Sequence, residues 1–236
     1  MDNLSLQHIC YLVLLFFVFS VLGWCMEVLL KYIQYHRFIN RGFLIGPYCP
    51  IYGSGIVFIT VMVSILSGME SSVGTTFSIS FIGCGILEYA VSYYLEKRFH
   101  ARWWDYSTKP MNLHGRIWIG NLILFGIGGT LVIEVINPIM YSLFALIPER
   151  SLYALTSIII LTMSADYLTS HFVMKFVKSS VESSEADNTE SISKEIKLLM
   201  HNKSILYRRI ADAYPDVIYR TDRINKLSLI HISEPT

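Results

Sequence analysis

The sequence predicts an all-α fold: a polytopic integral membrane protein with five transmembrane helices, its N-terminus outside and a cytosolic C-terminal tail carrying a short amphipathic helix. Three observations predict it. The 236-residue chain is 53% hydrophobic and only 16% charged, against about 25% charged in a soluble domain, and its mean hydropathy is +0.47. Long apolar runs fill the chain up to Met174, and the stretch from Lys175 to Lys226 is polar. The basic residues fall on alternate loops. This pattern excludes an ordinary soluble enzyme and a disordered chain. A net charge of +1 gives no reason to expect nucleic acid, because the basic residues are placed by topology.

The five apolar segments are 8–30, 49–67, 74–95, 117–136 and 152–174, each near the roughly 20 residues that a crossing needs. The second is the shortest, with Gly53 and Gly55 near its start. Lipid offers the backbone no hydrogen-bond partner, so the segments must be helical. No Lys or Arg precedes the first run. That run is too long for a signal sequence and lacks a small-residue cleavage site, so it reads as a retained span.

Orientation follows from charge. Lys31, Arg37 and Arg41 follow the first segment, Lys97, Arg98, Arg102, Lys109 and Arg116 the third, and Lys175 and Lys178 the fifth. The opposite side carries only Arg150. Basic residues are retained in the cytosol, so the tail faces inward, as in a multi-pass protein of a bacterial cell membrane. Spans one and three run in the same direction. Each places a glutamate after a glycine and before a basic, aromatic loop (GWCMEVLLKYIQYHRF and GCGILEYAVSYYLEKRF), which suggests a parallel two-span repeat with span five added.

The expected units are a transmembrane domain over 1–178, a Ser-rich acidic linker over 179–191 and a tail over 192–226. In the tail, Ile192, Ile196, Leu199, Leu206, Ile210 and Ala213 recur at helical spacing. Pro215 then stops or bends the helix. The last ten residues, LSLIHISEPT, resemble the translation of a transposase sequencing adapter, so 227–236 is excluded from fold reasoning and the natural chain is expected to continue past Lys226.

An ionised group at mid-membrane costs about 2.5–3.5 kcal/mol, so each intramembrane acid needs a reason. Glu27 lies one turn from Lys31 and could simply pair with it. Glu88 lies nine residues before Lys97, about 13 Å deeper along a helix, and is the stronger candidate. Asp166 lies in the inner half of span five. Glu134 lies near the outer end of span four and could snorkel. Arg41, Arg116 or a bound cation could partner these acids.

Two cytosol-side loops stand out. NRGFLIGPYCPIYGSG (40–55) carries Gly42, Gly46, Pro47, Pro50, Gly53 and Gly55. That density breaks helix, so the entry to span two should be irregular or re-entrant. Arg41, Tyr48 and Tyr52 are then candidate site residues, with a structural turn as the plain alternative. WWDYSTKPMNLHGR (103–116) offers Trp104, Asp105, Tyr106, Asn112, His114 and Arg116. The aromatics suit the membrane interface, whereas the polar groups have no interfacial need and suit binding or docking.

Other chemistries lack a motif. There is no P-loop, G-x-S-x-G or HExxH. Cys10, Cys25, Cys49 and Cys84 form no CxxC and no zinc spacing, and read as small buried residues. No metal and no cofactor is expected. Gly126, Gly128 and Gly129 read as helix-packing contacts.

GWCMEV, NRGFLIGPYCPIYG, GILEY and WWDYSTKPMNLHGRI together resemble the type IV ABC-transporter permease family of bacterial membrane proteins. RRIADAYPDV is similar to that family's cytosolic tail. The resemblance implies a permease-like subunit that relies on a separate ATPase. It points to Glu27, Arg41, Gly42, Gly46, Pro47, Pro50, Tyr52, Gly53, Glu88, Trp104, Asp105, Tyr106, Asn112, Gly115 and Arg116 as motif residues.

The first expectation is therefore a transport subunit of unknown substrate, in a homo- or hetero-oligomer, with Glu27 and Glu88 lining a polar path and the 103–116 loop docking the ATPase. The second is a membrane-embedded enzyme acting on lipid or envelope precursors at the inner leaflet, using Glu88, Asp105, His114 and Arg116. The third is a scaffold working through its tail.

Overall fold

A computed structural model describes residues 6–42, 44–66, 72–183, 189–213 and 218–219. The centre of the acidic linker, Pro215 and the adapter-like segment 227–236 lie outside the described residues.

Helix α1 (Leu6–Tyr35) is 30 residues long and apolar from Ile9 to Val21 but for Ser20. Helix α2 (Pro50–Leu66) has 17 residues. Helix α3 (Val73–Phe99) opens on Ser72, whose hydroxyl accepts from the Thr75 amide at 3.2 Å. It closes on His100, a left-handed cap at φ 53° whose N–H reaches Glu96 O. Lys97 and Arg98 in the last turn suit its negative end. Helix α4 (Ile119–Leu131) runs through one π turn, Val132–Ile136, into α5 (Asn137–Ala145). Helix α6 (Glu149–Ser183) is the longest at 35 residues.

Four of these helical stretches are long and apolar enough to cross a membrane: Leu6–Tyr35, Val73–Phe99, Ile119–Ala145 and Glu149–Ser180. The chain is a multi-pass, all-α membrane protein. Large apolar residues cover its outside, among them Leu22, Leu29, Ile86, Ile127, Leu161 and Phe172, all more than half exposed. So much contiguous apolar surface suits lipid.

The shortness of α2 has a local cause. After Tyr35 the chain turns back along α1 without forming a helix. Trp24 Nε1 donates to Asn40 Oδ1 at 2.8 Å, and the Cys49 amide donates to the Ser20 carbonyl at 2.8 Å. Ser20 lies 15 residues before the end of α1, about 22 Å back along its axis. Helix α2 therefore starts deep beside α1, and irregular backbone covers the rest of that distance. The two helices approach closely because Gly53 faces the Phe16 carbonyl and Gly23 faces the Tyr52 ring, so a Cβ at either place would collide.

Two sequence expectations need correction in span four. It does not end at 136 but continues to Ala145, so Glu134 sits mid-helix rather than at the outer end. Pro138 cannot donate its missing N–H to Glu134 O, and the π turn just before it absorbs that gap. Of the three packing glycines, Gly126 meets Phe77 and Gly129 meets Ser80, while Gly128 faces open space. Cys25 is exposed, not buried, because it shares α1 with the outward-facing Leu22, Met26 and Leu29.

After α6 come helices α7 (Thr189–Lys203) and α8 (Ile205–Ala213). Ile192, Ile196 and Met200 of α7 are fully buried against Phe99, Trp103, Val173, Met174 and Val177. Leu199 and Leu206, which share their helical spacing in the sequence, are instead exposed by 44% and 37%. Strand β1 (Ala101–Arg102) pairs antiparallel with Ile218–Tyr219 of the tail, and β2 (Asn112–Leu113) with β3 (Ile117–Trp118).

Candidate functional site

Four helices, the returning segment and the 103–116 loop bring a polar cluster together inside the apolar bundle. Glu27 on α1 accepts from Tyr52 Oη on α2 at 2.6 Å. Its other oxygen lies 3.4 Å from Arg41 Nε, on the returning segment. Glu88 on α3 is 7% exposed. Its Oε1 accepts from Asn121 Nδ2 on α4 at 3.1 Å and from Tyr106 Oη at 3.3 Å, and Asn121 also donates to Tyr106 Oη at 2.9 Å. Trp118 Nε1 holds Asn121 by its Oδ1 at 2.9 Å. Glu88 Oε2 is buried with no hydrogen-bond partner among the described residues.

Tyr106 reaches this cluster from the 103–116 loop. Its phenol lies above its ordinary pKa, first through burial and then through the negative charge of Glu88 and Glu27. The hydroxyl therefore stays protonated at neutral pH.

The loop itself is built by its own polar residues. Asp105 Oδ1 accepts from the Ser107 amide at 2.9 Å and lies 3.5 Å from Arg102 Nη1. Asn112 donates to the carbonyls of Ser107 and Lys109 and accepts from the Gly115 amide. The Tyr106 amide donates to Gly115 O at 2.7 Å. Gly115 itself sits at φ 67°, where a side chain would strain the backbone and a Cβ would strike Asp105. Trp104 Nε1 donates to Arg116 O at 3.0 Å. Arg116 is 8% exposed and lies 2.9 Å from Glu96, which also binds Arg102. It also donates to Ser92 Oγ at 3.2 Å and stacks over Tyr89 and Tyr93. His114 Nδ1 meets Tyr89 Oη at 2.9 Å. Asp105, Asn112 and Arg116 thus shape the loop, and His114 meets Tyr89. What remains exposed is the crest, with Met111 at 79% and Leu113 at 50%.

Asp166 on α6 anchors the returning segment. Its carboxylate accepts from the amides of Ile45 at 2.8 Å and Gly46 at 2.7 Å, from Tyr48 Oη at 2.5 Å and from Ser170 Oγ at 3.0 Å. Irregular backbone at membrane depth needs such a partner. The tail braces the same segment: Arg41 Nη1 donates to Ala213 O at 2.7 Å, and Arg209 Nη1 to Gly42 O at 3.2 Å.

The structure thus joins Glu27, Arg41, Tyr52, Glu88 and Tyr106 in one region, and sets Tyr48 with Asp166 in a second. Sequence reasoning missed Asn121, Trp118, Glu96, Arg102 and Arg209. Asn121 had a signal, an amide within an apolar run, but only acids were weighed there. Arg209 lay within RRIADAYPDV, the tail stretch that resembles the family, but its contact with Gly42 is not written in local spacing.

A family model described as "Putative ABC-transporter type IV" matches residues 14–171. The chain belongs to that family. It is a multi-pass membrane protein of ABC-transporter type, and the family region takes in every residue of the two clusters from Glu27 to Asp166. The tail residues that brace them lie beyond it. No curated protein and no solved structure matches the chain.

Proposed function

We propose that this chain is the permease-like membrane subunit of a transporter driven by a separate ATPase in a bacterial cell membrane. The buried, half-satisfied carboxylate of Glu88 carries this reading. A lone acceptor oxygen inside the bundle costs several kcal/mol unless something binds it. A proton or a passing polar solute supplies that partner, and Tyr106 and Asn121 supply the donors beside it. Glu27 and Tyr52 extend the polar path toward Arg41.

In this reading the N-terminus lies outside and the tail inside. The returning segment plus α2 make the fifth crossing. The ATPase docks on the crest of the 103–116 loop, where Met111 and Leu113 present apolar surface on a rigid hairpin. The enzyme reading has less support because Asp105, His114 and Arg116 are engaged with Arg102, Tyr89 and Glu96.

Co-purification tests the assignment. N-terminally tagged protein is mildly crosslinked and solubilised from native membranes, and its partners are identified by mass spectrometry. A P-loop ATPase is expected in near-equal amount and is expected to be lost when Met111→Asp and Leu113→Asp are combined. Abundant intact protein without any ATPase would end the transporter reading.

A further inference from the structure

The strongest unassigned feature lies where the returning segment meets the tail. Two adjoining hollows of about 430 and 400 Å³ share Arg37 and Asp212 in their walls. Lys194, Lys197 and His201 complete one, and Arg208 and Arg209 the other. Asp212 is the only acid among these lining residues.

Some of these cations are engaged. Lys194 pairs with Glu190 at 2.7 Å, Arg208 donates to His201 O, and Arg209 donates to Gly42 O. Arg37 is different. It is exposed, lines both hollows, and makes no hydrogen bond or ion pair among the described residues.

The depth of the cleft identifies its occupant. Phe38 packs edge-on against Trp24, with ring centroids 6.5 Å apart. Trp24 lies 11 residues, or about 16 Å, back from the end of α1. The wall therefore lies beside the last turns of α1, where Met26, Leu29 and Leu30 face outward. Phe38 at 66% and Ile205 at 81% exposure form an apolar rim. Basic walls, an apolar rim and a position beside a lipid-facing helix suit one ligand class.

We propose that this cleft binds the phosphodiester headgroup of an anionic phospholipid of the inner leaflet. Arg37 and Lys197 meet the phosphate, and Phe38 and Ile205 lie along the acyl chains. The bound lipid bridges the returning segment to α7 and α8, tying the tail to the membrane. This rests on the inward orientation of the tail proposed above.

The test uses the full chain, purified in detergent and stripped of lipid. Thermal unfolding is followed with added dioleoyl phosphatidylglycerol, dioleoyl phosphatidylcholine or inorganic phosphate. Phosphatidylglycerol is expected to raise the melting temperature, and the other two to leave it unchanged. Combining Arg37→Ala with Lys197→Ala is expected to raise the phosphatidylglycerol concentration needed by roughly 30-fold, the size of two surface cations. If that pair lowers the basal melting temperature, Arg37→Gln alone is used, with a roughly fivefold change expected. Equal stabilisation by phosphatidylcholine would mean apolar contact alone. Equal stabilisation by phosphate would mean a soluble-anion site. An unchanged dose response in the variants would place the lipid elsewhere. Each of these overturns the proposal.

Discussion

Glu88 is a residue held at a disadvantage to the fold. One oxygen has Asn121 and Tyr106, and the other has nothing among the described residues. A buried carboxylate replaced by its neutral isostere loses its desolvation cost. Glu88→Gln is therefore expected to leave the melting temperature in detergent unchanged or higher, while the gene no longer restores the phenotype of a deletion strain. A variant that complements fully would remove Glu88 from the polar path. Tyr106→Phe acts the other way. It takes a hydroxyl from both Glu88 and Asn121 and is expected to cost about 1–3 kcal/mol, read as a lower melting temperature. Glu88 was legible in the sequence because an acid in an apolar run has no cheap explanation. Its geometry was not, since Asn121 and Tyr106 come from 33 and 18 residues away.

At the scale of elements, the returning segment is the feature that composition only half announced. Pro and Gly density forbade a helix, but nothing local said that the chain would climb back to Ser20, or that Asp166 would hold it there. Asp166 presented itself as a candidate site acid, and its four hydrogen bonds make it an anchor for the returning segment. Asp166→Ala leaves two amides and a phenol without their acceptor and is expected to destabilise by about 3 kcal/mol or more. Limited proteolysis should then cut within residues 42–49, and an uncut segment in a folded variant would contradict the anchoring role. Gly53→Val is harsher, because the added carbons meet the Phe16 carbonyl, which cannot move without breaking α1. Folded protein should be lost from the membrane fraction, as read by size-exclusion chromatography.

Across the whole molecule, hydropathy made the long helices legible, because a bilayer imposes length and polarity together. It ended span four at 136, because the π turn over Val132–Ile136 that carries the helix past Pro138 leaves no mark in hydropathy. The buried face of the tail was read only in part. Ile192 and Ile196 point inward, but Met200 took the place given to Leu199 because the packing surface continues along the 4-residue row. The proposed topology is checked by cysteine labelling with a membrane-impermeant maleimide. Glu149→Cys should react in intact cells, and Thr108→Cys only after lysis. The reverse pattern would invert the molecule and remove the inner-leaflet argument.

The anchoring of Ile45 and Gly46 by Asp166 spans 121 and 120 residues of chain. That separation imposes an order on biogenesis. When α1 and α2 have left the ribosome, the amides between them still lack their acceptor, and they lack it until α6 has been made. The N-terminal half therefore waits, incomplete, for the C-terminal half. A nascent chain interrupted before Asp166 carries exposed amides inside the bilayer, a mark by which quality control can tell an unfinished molecule from a finished one.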